Sequence, residues 1–340
     1  MTLKEIAAKA GVSASTVSRI MNSPDDSFAR KEVRDRVWQV IRETGYVPNQ
    51  TARELKQGKK AGPKAAAGSL ACVLGRTRNL DDDPFFAQLA RVVEQHALES
   101  GYPVRLTHSI FDIQESETLR KIEAAGTDGA IVLGRFSEDA AVQLERYYKN
   151  LVYVGRNLIH TGWDQVICDG YEATLLALEY LVSSGHRRIG YIGETVGETR
   201  YQAYKDAVKK YGLTDDKRFV AASPPSGAGG YAGADSLLNA GVPLPSAVFC
   251  AADVAAIAAL RRFTEAKVKV PEQLSLISMD NIEMSAYVSP MLTTVGMPVL
   301  EMGHTAVRVL ISRIQKQHKL PLKIYLPNQL ISRESVANIK

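Results

Sequence analysis

Hydrophobic positions follow two different patterns along this chain of 340 residues. In the first 56 residues they recur at helical spacing, and the first apolar face consists of Leu3, Ile6, Ala7 and Ala10. Beyond residue 69, short and nearly continuous apolar runs alternate with amphipathic stretches. The first pattern predicts a small group of helices, and the second predicts buried strands that alternate with helices.

The first two helices are predicted to be joined by a tight turn. Thr2 and Glu5 have the spacing of a capping box at the start of the first helix. Gly11 ends that helix, Val12 is an apolar plug, and Ser13 is the N-cap of the second helix. The residues of the second helix that face inward are Val17, Ile20 and Met21. The residues on its outer side are Ala14, Ser15, Thr16, Ser18 and Arg19.

This outer face is small enough to enter the major groove of DNA. Small polar residues on a helix that faces solvent are common by themselves. The order of a helix, an Ala-Gly-Val-Ser turn and a second helix nevertheless favours a helix-turn-helix DNA reader.

A third amphipathic helix is predicted over residues 30–44, with Gly45 as its C-cap. Residues 46–48 are extended, and Asn49 is placed to cap a short basic helix. That short helix carries Ala52, Arg53, Leu55 and Lys56. An exposed Leu55 is unusual for a free linker, but it fits a dimer in which two such helices pair and push apolar wedges into a minor groove.

Charge is concentrated at the same end of the chain. Residues 1–60 hold 12 Lys and Arg against 7 Asp and Glu, whereas the other 280 residues hold 30 of each. The net charge of +5 therefore lies in the first 60 residues, which is typical of a polyanion-binding module joined to a neutral domain. Residues 57–68, with three lysines and Gly and Pro breaks, are predicted to form a flexible basic linker.

The remainder of the chain predicts an α/β body. Strands buried on both faces of a parallel sheet are predicted over residues 69–75, 128–134, 150–156, 187–193, 246–252 and 274–280. Helices are predicted, among others, over residues 86–100, 171–184, 200–211 and 254–266. This many alternating elements favours two lobes over one wide sheet. Because ligands in open α/β sheets bind beyond the carboxyl ends of the strands, a ligand is expected there.

Three stretches carry a family resemblance: TLKEIAAKAGVSASTVSRIMN, GYVPNQTARELKQG and LPNQLISRES. Over nearly its whole length the chain resembles the lactose/galactose repressor family of bacterial transcription regulators. The resemblance implies an all-α helix-turn-helix DNA-binding headpiece over residues 1–46 and a hinge helix with its linker over residues 47–68. It further implies that residues 69–340 form a two-lobed α/β body of the periplasmic-binding-protein type, with parallel sheets, which binds an effector between its lobes and dimerises.

The resemblance implies that Ser15, Thr16 and Arg19 meet operator bases or nearby phosphates, and that Leu55 intercalates at the centre of a palindromic operator. The predicted DNA contacts are Thr2, Ser13, Ala14, Ser15, Thr16, Ser18, Arg19, Asn22, Asn49, Ala52, Arg53, Leu55 and Lys56. A homodimer with two-fold symmetry reads two half-sites. The chain ends soon after LISRESV without leucine heptads, so we expect a dimer rather than a tetramer.

The effector residues implied by the resemblance are Phe85, Phe86, Arg156, Trp163, Arg200, Asp253 and Asp280. Arg200 matches an arginine that binds ligand hydroxyls or carboxylates, and Asp280 matches an aspartate that accepts sugar hydroxyls. Two positions depart from the family pattern, because Ala252 stands where Asn is common and Gly155 stands where Asp is frequent. These departures leave the identity of the effector open.

Several of these residues also have a purely structural interpretation. The pair Phe85–Phe86 suits the core at the start of a helix, and Arg200 suits a surface ion pair with Glu198. Asp253 suits a helix cap at the end of a strand. Trp163 suits either stacking on the apolar face of a sugar or packing as a loop anchor.

Catalysis, a metal and a cofactor are not expected. The glycine-rich residues 226–233 do not read G-x-G-x-x-G, follow no apolar strand and lack a Walker lysine, so they are interpreted as a mobile turn into a helix. The sequence contains no H-E-x-x-H, no histidine and cysteine at metal-ligand spacing, and no G-x-S-x-G.

A cytoplasmic location without membrane contact is expected. The chain has no apolar run of about 18 residues and no apolar signal core at its N-terminus. Its cysteines are odd in number, far apart and set in apolar runs, which is typical of buried free thiols rather than a disulfide framework: Cys72, Cys168 and Cys250. An exported sugar-binding module of the same fold would carry a signal peptide and no basic headpiece.

Two kinds of regulator remain open. The first is a repressor that a small sugar releases from its operator, and the second responds to a phosphorylated partner protein or a purine corepressor. The stretches SLISMDNIEMSAYVSPMLTTV and GRNLIHTG look most like those of regulators of β-galactoside use. The first kind, with a galactose-type sugar, is therefore the prediction.

Overall fold

The computed structural model describes residues 3–22, 29–44 and 68–340. The chain divides into two compact units, Met1–Ala66 and Ala67–Lys340. Among its described residues, the first unit contains three helices: α1 (Leu3–Ala10), α2 (Ala14–Asn22) and α3 (Lys31–Thr44). Their shared core consists of Ile6, Ala7, Ala10, Val17, Ile20, Val37 and Val40. The predicted inward positions Val17 and Ile20 are confirmed, because both side chains are buried.

The second unit contains twelve strands among its described residues. They are β1 (Leu70–Leu74), β2 (Val104–Ser109), β3 (Gly129–Leu133), β4 (Leu151–Gly155), β5 (Asp164–Ile167), β6 (Ile189–Gly193), β7 (Val220–Ala222), β8 (Ala247–Cys250), β9 (Ser275–Asp280), β10 (Thr293–Gly296), β11 (Lys323–Tyr325) and β12 (Gln329–Ile331). Its α-helices are α4 (Pro84–Glu99), α5 (Ser116–Ala125), α6 (Glu138–Tyr147), α7 (Gly170–Ser183), α8 (Thr199–Lys210), α9 (Gly227–Leu238), α10 (Asp253–Glu265) and α11 (Val299–Ile314).

These strands form two six-stranded sheets, one in each lobe. The order is β11-β5-β4-β3-β1-β2 in the first lobe and β12-β10-β9-β8-β6-β7 in the second. All neighbours are parallel except β10 and β12. The six strands predicted from sequence are the central trio of each sheet, β4-β3-β1 and β9-β8-β6. Their continuous apolar runs follow from burial on both faces.

The chain passes between the lobes three times. After β5 it enters the second lobe, where α7 packs on β8, β9 and β10. After β10 it returns, because α11 packs on α4, β3, β4 and β5 of the first lobe. After β11 it crosses again to β12. The carboxyl ends of both sheets therefore border a common cleft.

The glycine-rich residues 226–233 are helical from Gly227 onward, so their interpretation as a mobile turn is wrong. Ser226 caps α9 by accepting the backbone N–H of Gly229 at 3.1 Å. A Cβ on Gly230 would lie 2.0 Å from the backbone oxygen of Ala255 in α10. The small residues therefore allow α9 and α10 to approach each other closely.

Candidate DNA-reading helix and effector cleft

The turn between α1 and α2 positions the candidate DNA-reading helix. Gly11 has a φ of +65°, in the left-handed region that favours glycine. The backbone N–H of Val12 donates to the oxygen of Ala7 at 3.0 Å. Ser13 Oγ accepts the backbone N–H of Thr16 at 3.1 Å, which confirms Ser13 as the N-cap of α2.

The predicted DNA contacts of the described reader lie together on α2 and its cap. Ser13, Ser15 and Arg19 are exposed, and the partly covered residues are Ala14, Thr16 and Ser18. The hydroxyl of Ser13 lies 2.7 Å from that of Ser15 and 2.8 Å from that of Thr16. Asn22 is the last residue of α2. The predicted contacts that lie outside the described residues are Thr2, Asn49, Ala52, Arg53, Leu55 and Lys56.

The cleft lies where the sequence places it, at the carboxyl ends of the strands. It encloses a cavity of about 890 Å³ between segments that follow β1, β2 and β3 in the first lobe and β6 and β7 in the second. Its lining includes two arginines, two aromatic rings, a carboxylate and a proline: Arg76, Arg135, Phe111, Phe136, Glu194 and Pro225.

Arg156 and Asp280 form a buried ion pair that joins the two lobes. Arg156 follows β4 of the first lobe, and its Nη2 donates to the carboxylate of Asp280 at the end of β9 in the second lobe. The guanidinium carbon of Arg156 lies 4.4 Å from the ring centroid of Phe85 and 5.4 Å from that of Phe86. The two aromatic rings therefore stabilise this cation from the first lobe.

The surroundings of Asp280 disfavour its charged form. Burial raises the pKa of Asp280 to about 7, although the charge of Arg156 favours the carboxylate. Asp280 also has a φ of +118°, which is unusual for a residue other than glycine. Such backbone strain is commonly retained at binding sites.

Arg200 is fully buried and bound to its neighbour Glu198. Its Nε and Nη2 donate to the two carboxylate oxygens of Glu198 at 2.7 and 2.8 Å, and its Nη1 donates to the oxygen of Ala251 at 2.6 Å. Burial by itself would raise the pKa of Glu198, but the hydrogen bonds and charge of Arg200 hold it at about 2. The pair with Glu198 is present as expected, but it is buried rather than on the surface. Nη2 of Arg200 also lies 3.9 Å from Glu194 Oε2, towards the cavity.

Sequence reasoning missed a second connection between the lobes. Glu194, after β6, accepts hydrogen bonds from Arg76 and Arg135 of the first lobe, both at 3.3 Å. Arg135 also donates to the oxygen of Gly197 at 3.1 Å. One signal for these cations was present in the sequence, since the same Gly-Arg pair follows the terminal leucine of both β1 and β3.

Trp163, predicted as an effector residue, packs inside the first lobe instead. Its indole is buried, its Nε1 donates to Glu145 Oε1 at 2.7 Å, and it stacks on Phe136 with ring centroids 5.2 Å apart. It does not line the cleft cavity but borders a separate cavity beside Glu145. The structure therefore supports the alternative in which Trp163 anchors its loop.

Asp253, also predicted as an effector residue, is hydrogen-bonded inside the second lobe. The residue is fully buried at the start of α10, and its carboxylate accepts hydrogen bonds from Ser278 Oγ at 2.5 Å, Thr294 Oγ1 at 2.6 Å and the N–H of Ile282 at 2.9 Å. Burial raises the pKa of Asp253 to about 6, against these hydrogen bonds. Asp253 therefore connects three segments of the second lobe. Its carboxylate bonds to these segments, and the N-cap position of α10 belongs to Ala252.

At position 155 the structure leaves no room for a side chain. A Cβ at this position would lie 2.1 Å from the hydroxyl oxygen of Tyr153. The glycine therefore leaves room for the buried ring of Tyr153.

No helix within residues 3–22, 29–44 and 68–340 is both long and apolar enough to cross a membrane. The same ranges contain no group of three or more His, Cys, Asp or Glu that is placed to hold a metal ion.

Comparison with known proteins matches residues 2–49 to bacterial regulatory proteins of the lacI family and residues 178–336 to a periplasmic binding protein-like domain. The HTH-type transcriptional repressor CytR of Escherichia coli strain K12 is 31% identical over 323 residues, which cover 93% of this chain and 91% of that protein. The solved complex of the transcriptional regulator CelR with cellobiose is 27% identical, with a TM-score of 0.72 over 98% of this chain and 99% of that chain. A LacI family regulator from Enterococcus faecium with bound ribose is 27% identical, with a TM-score of 0.69 over 80% of this chain and 100% of that chain.

Proposed function

The chain belongs to the LacI family of bacterial regulatory proteins, and on that premise we propose that it is a homodimeric transcriptional repressor that a small, galactose-type sugar releases from its operator. Its relatives are transcriptional regulators, and the chain is a regulator rather than an enzyme. CytR is named as a repressor, and the E. faecium regulator holds ribose.

We assign operator reading to the exposed side of α2. Arg19 supplies charge for bases or phosphates, and the hydroxyls of Ser15 and Thr16 supply hydrogen bonds. A two-fold dimer brings two such helices to the half-sites of a palindromic operator. In this proposal Leu55 of each protomer enters the minor groove at the centre of the operator.

The observation that carries the switch is the set of ion pairs between the lobes. Arg156 with Asp280, and Arg76 and Arg135 with Glu194, connect the first lobe to the second across the cleft. A sugar whose hydroxyls bind these same groups interacts differently with different lobe arrangements. That difference supplies the coupling free energy between effector and operator, typically about 1–3 kcal/mol.

The test is operator binding measured by fluorescence anisotropy on a labelled, symmetric family-type duplex, with and without a galactose-containing sugar. We expect tight binding that weakens steeply with salt, because phosphate contacts dominate affinity, and that the sugar releases. Arg19→Ala should weaken binding, whereas replacing Glu272, an exposed residue of the second unit, by Gln should not. A flat salt dependence would contradict the assigned interface. Tight binding that ignores the sugar would instead favour a phosphorylated partner protein or a purine as effector.

A further inference from the structure

The open part of the cleft differs from the part that holds the predicted effector residues. The cavity of about 890 Å³ is lined by none of the seven residues predicted from sequence. Arg156 and Asp280 do not line it and are almost completely buried. A ring that contacts Asp280 and a ring that fills the cavity therefore occupy different positions.

The size of the cavity exceeds that of one sugar ring. A hexose has roughly a dozen non-hydrogen atoms. Each of these atoms occupies less than the ~30 Å³ that one water molecule takes in the liquid, so a hexose fills less than about 360 Å³. The cavity has more than twice that volume. It lies in the range of sites that enclose a ligand of two or more rings.

The walls of the cavity have the chemistry of a carbohydrate site. Phe111 lines it with a side chain that is 51% exposed, and Arg78, paired with Asp112, lies 5.6 Å from the centroid of its ring. Phe136 adds a second aromatic surface. Aromatic faces of this kind pack against the apolar face of a pyranose, as other flat apolar groups do.

Polar groups on the same walls suit neutral hydroxyls. The side-chain amides of Gln114 and Gln143 line the cavity and form no hydrogen bond with the described residues. Each amide offers both a donor and an acceptor, as a sugar hydroxyl does. The charged side chains of the lining balance, because three arginines face three carboxylates and leave no net charge that would favour an anionic ligand: Arg76, Arg78 and Arg135, with Asp83, Asp139 and Glu194.

We propose that this cavity is a second sugar subsite, and that the effector is a neutral oligosaccharide of at least two residues rather than a monosaccharide. The proposal rests on the proposed sugar response. The inner residue of the oligosaccharide binds near Asp280, and the outer residue packs against Phe111 and bonds to the two glutamines.

The test is isothermal titration calorimetry of the full chain with D-galactose and with β-1,4-linked galactobiose. Galactobiose should bind at least about ten-fold more tightly, the affinity ratio that one added aromatic contact supplies. Phe111→Ala should remove this advantage and leave the galactose affinity unchanged. Gln143→Ala should reduce the advantage in the same direction. Tyr325→Ala removes an aromatic side chain that is 54% exposed outside the cavity, and it should change neither affinity.

The outcomes separate this proposal from the proposed function. Equal affinities for the two sugars, or a Phe111→Ala effect of the same size on both, would overturn the second subsite while the sugar response stands. Binding of neither sugar would overturn the galactose-type effector and the second subsite with it.

Discussion

Replacing Glu198 by Gln tests whether the buried Glu198–Arg200 pair holds the second lobe together. The change keeps the size of the side chain but removes its charge. It leaves the guanidinium of Arg200, which is 1% exposed, with only the more distant carboxylate of Glu194, 3.9 Å away. An unpaired charge inside a protein is costly because solvation is lost without compensation.

The magnitude follows from the pKa of Glu198. Its fall from 4.5 to about 2 corresponds to about 3 kcal/mol of folding free energy at neutral pH. Because the pKa is lowered in the folded state, this contribution is present above a pH of about 4.5 and is lost as the pH falls through about 2. Removing one partner of a buried ion pair costs a similar amount, about 3–5 kcal/mol.

The assay is urea denaturation at neutral pH, followed by far-ultraviolet circular dichroism. Glu198→Gln and Arg200→Met should each lower the free energy of unfolding by about 3 kcal/mol. The double variant should lose clearly less than the sum, since neither charge is then left alone. Glu272→Gln, at an exposed glutamate, is the control. Single variants that match the control, or losses that add within about 0.5 kcal/mol, would refute the buried pair.

Three more predictions concern other parts of the fold. Ser13→Ala should destabilise the headpiece by about 1 kcal/mol in thermal unfolding, because α2 loses its cap, and an unchanged transition would contradict the capping role. Gly230→Ala should destabilise by about 3 kcal/mol or more in urea, because its Cβ meets backbone, whereas Gly227→Ala, with the nearest atom 4.0 Å away, should be neutral. Calorimetry should show sugar affinity falling by up to about ten-fold per pH unit below pH 7, as Asp280 is protonated and accepts hydroxyls less well. Asp280→Asn should abolish this dependence, and a persistent slope would assign it to another group.

Local sequence determined the elements of the headpiece and the centres of both sheets. Gly11 and Ser13 specify the turn between α1 and α2 through backbone conformation and capping, which depend on a few consecutive residues. Strands buried on both faces reveal themselves by uninterrupted apolar runs. The outer strands were missed because their residues do not repeat that pattern; β2, for example, alternates between covered and exposed positions.

The sequence predicted the position of the cleft, but only some of the residues expected there contact one another in the structure. Phe85, Arg156 and Asp280 contact one another between the lobes, although none of them lines the open cavity. Trp163 and Asp253 do not belong to this group, because each finds its hydrogen-bond partners inside its own lobe. Neither the type of residue nor its place after a strand distinguishes a carboxylate that faces a cleft from one that is buried behind it.

Only the tertiary structure decided which charges meet across the cleft. Arg156 and Asp280 are 124 positions apart in sequence, and Arg76 and Glu194 are 118 apart. The three passages of the chain between the lobes bring these residues together. Helical and strand periodicity are short-range properties that neighbouring residues determine, whereas an ion pair between lobes depends on the order and direction of whole strands.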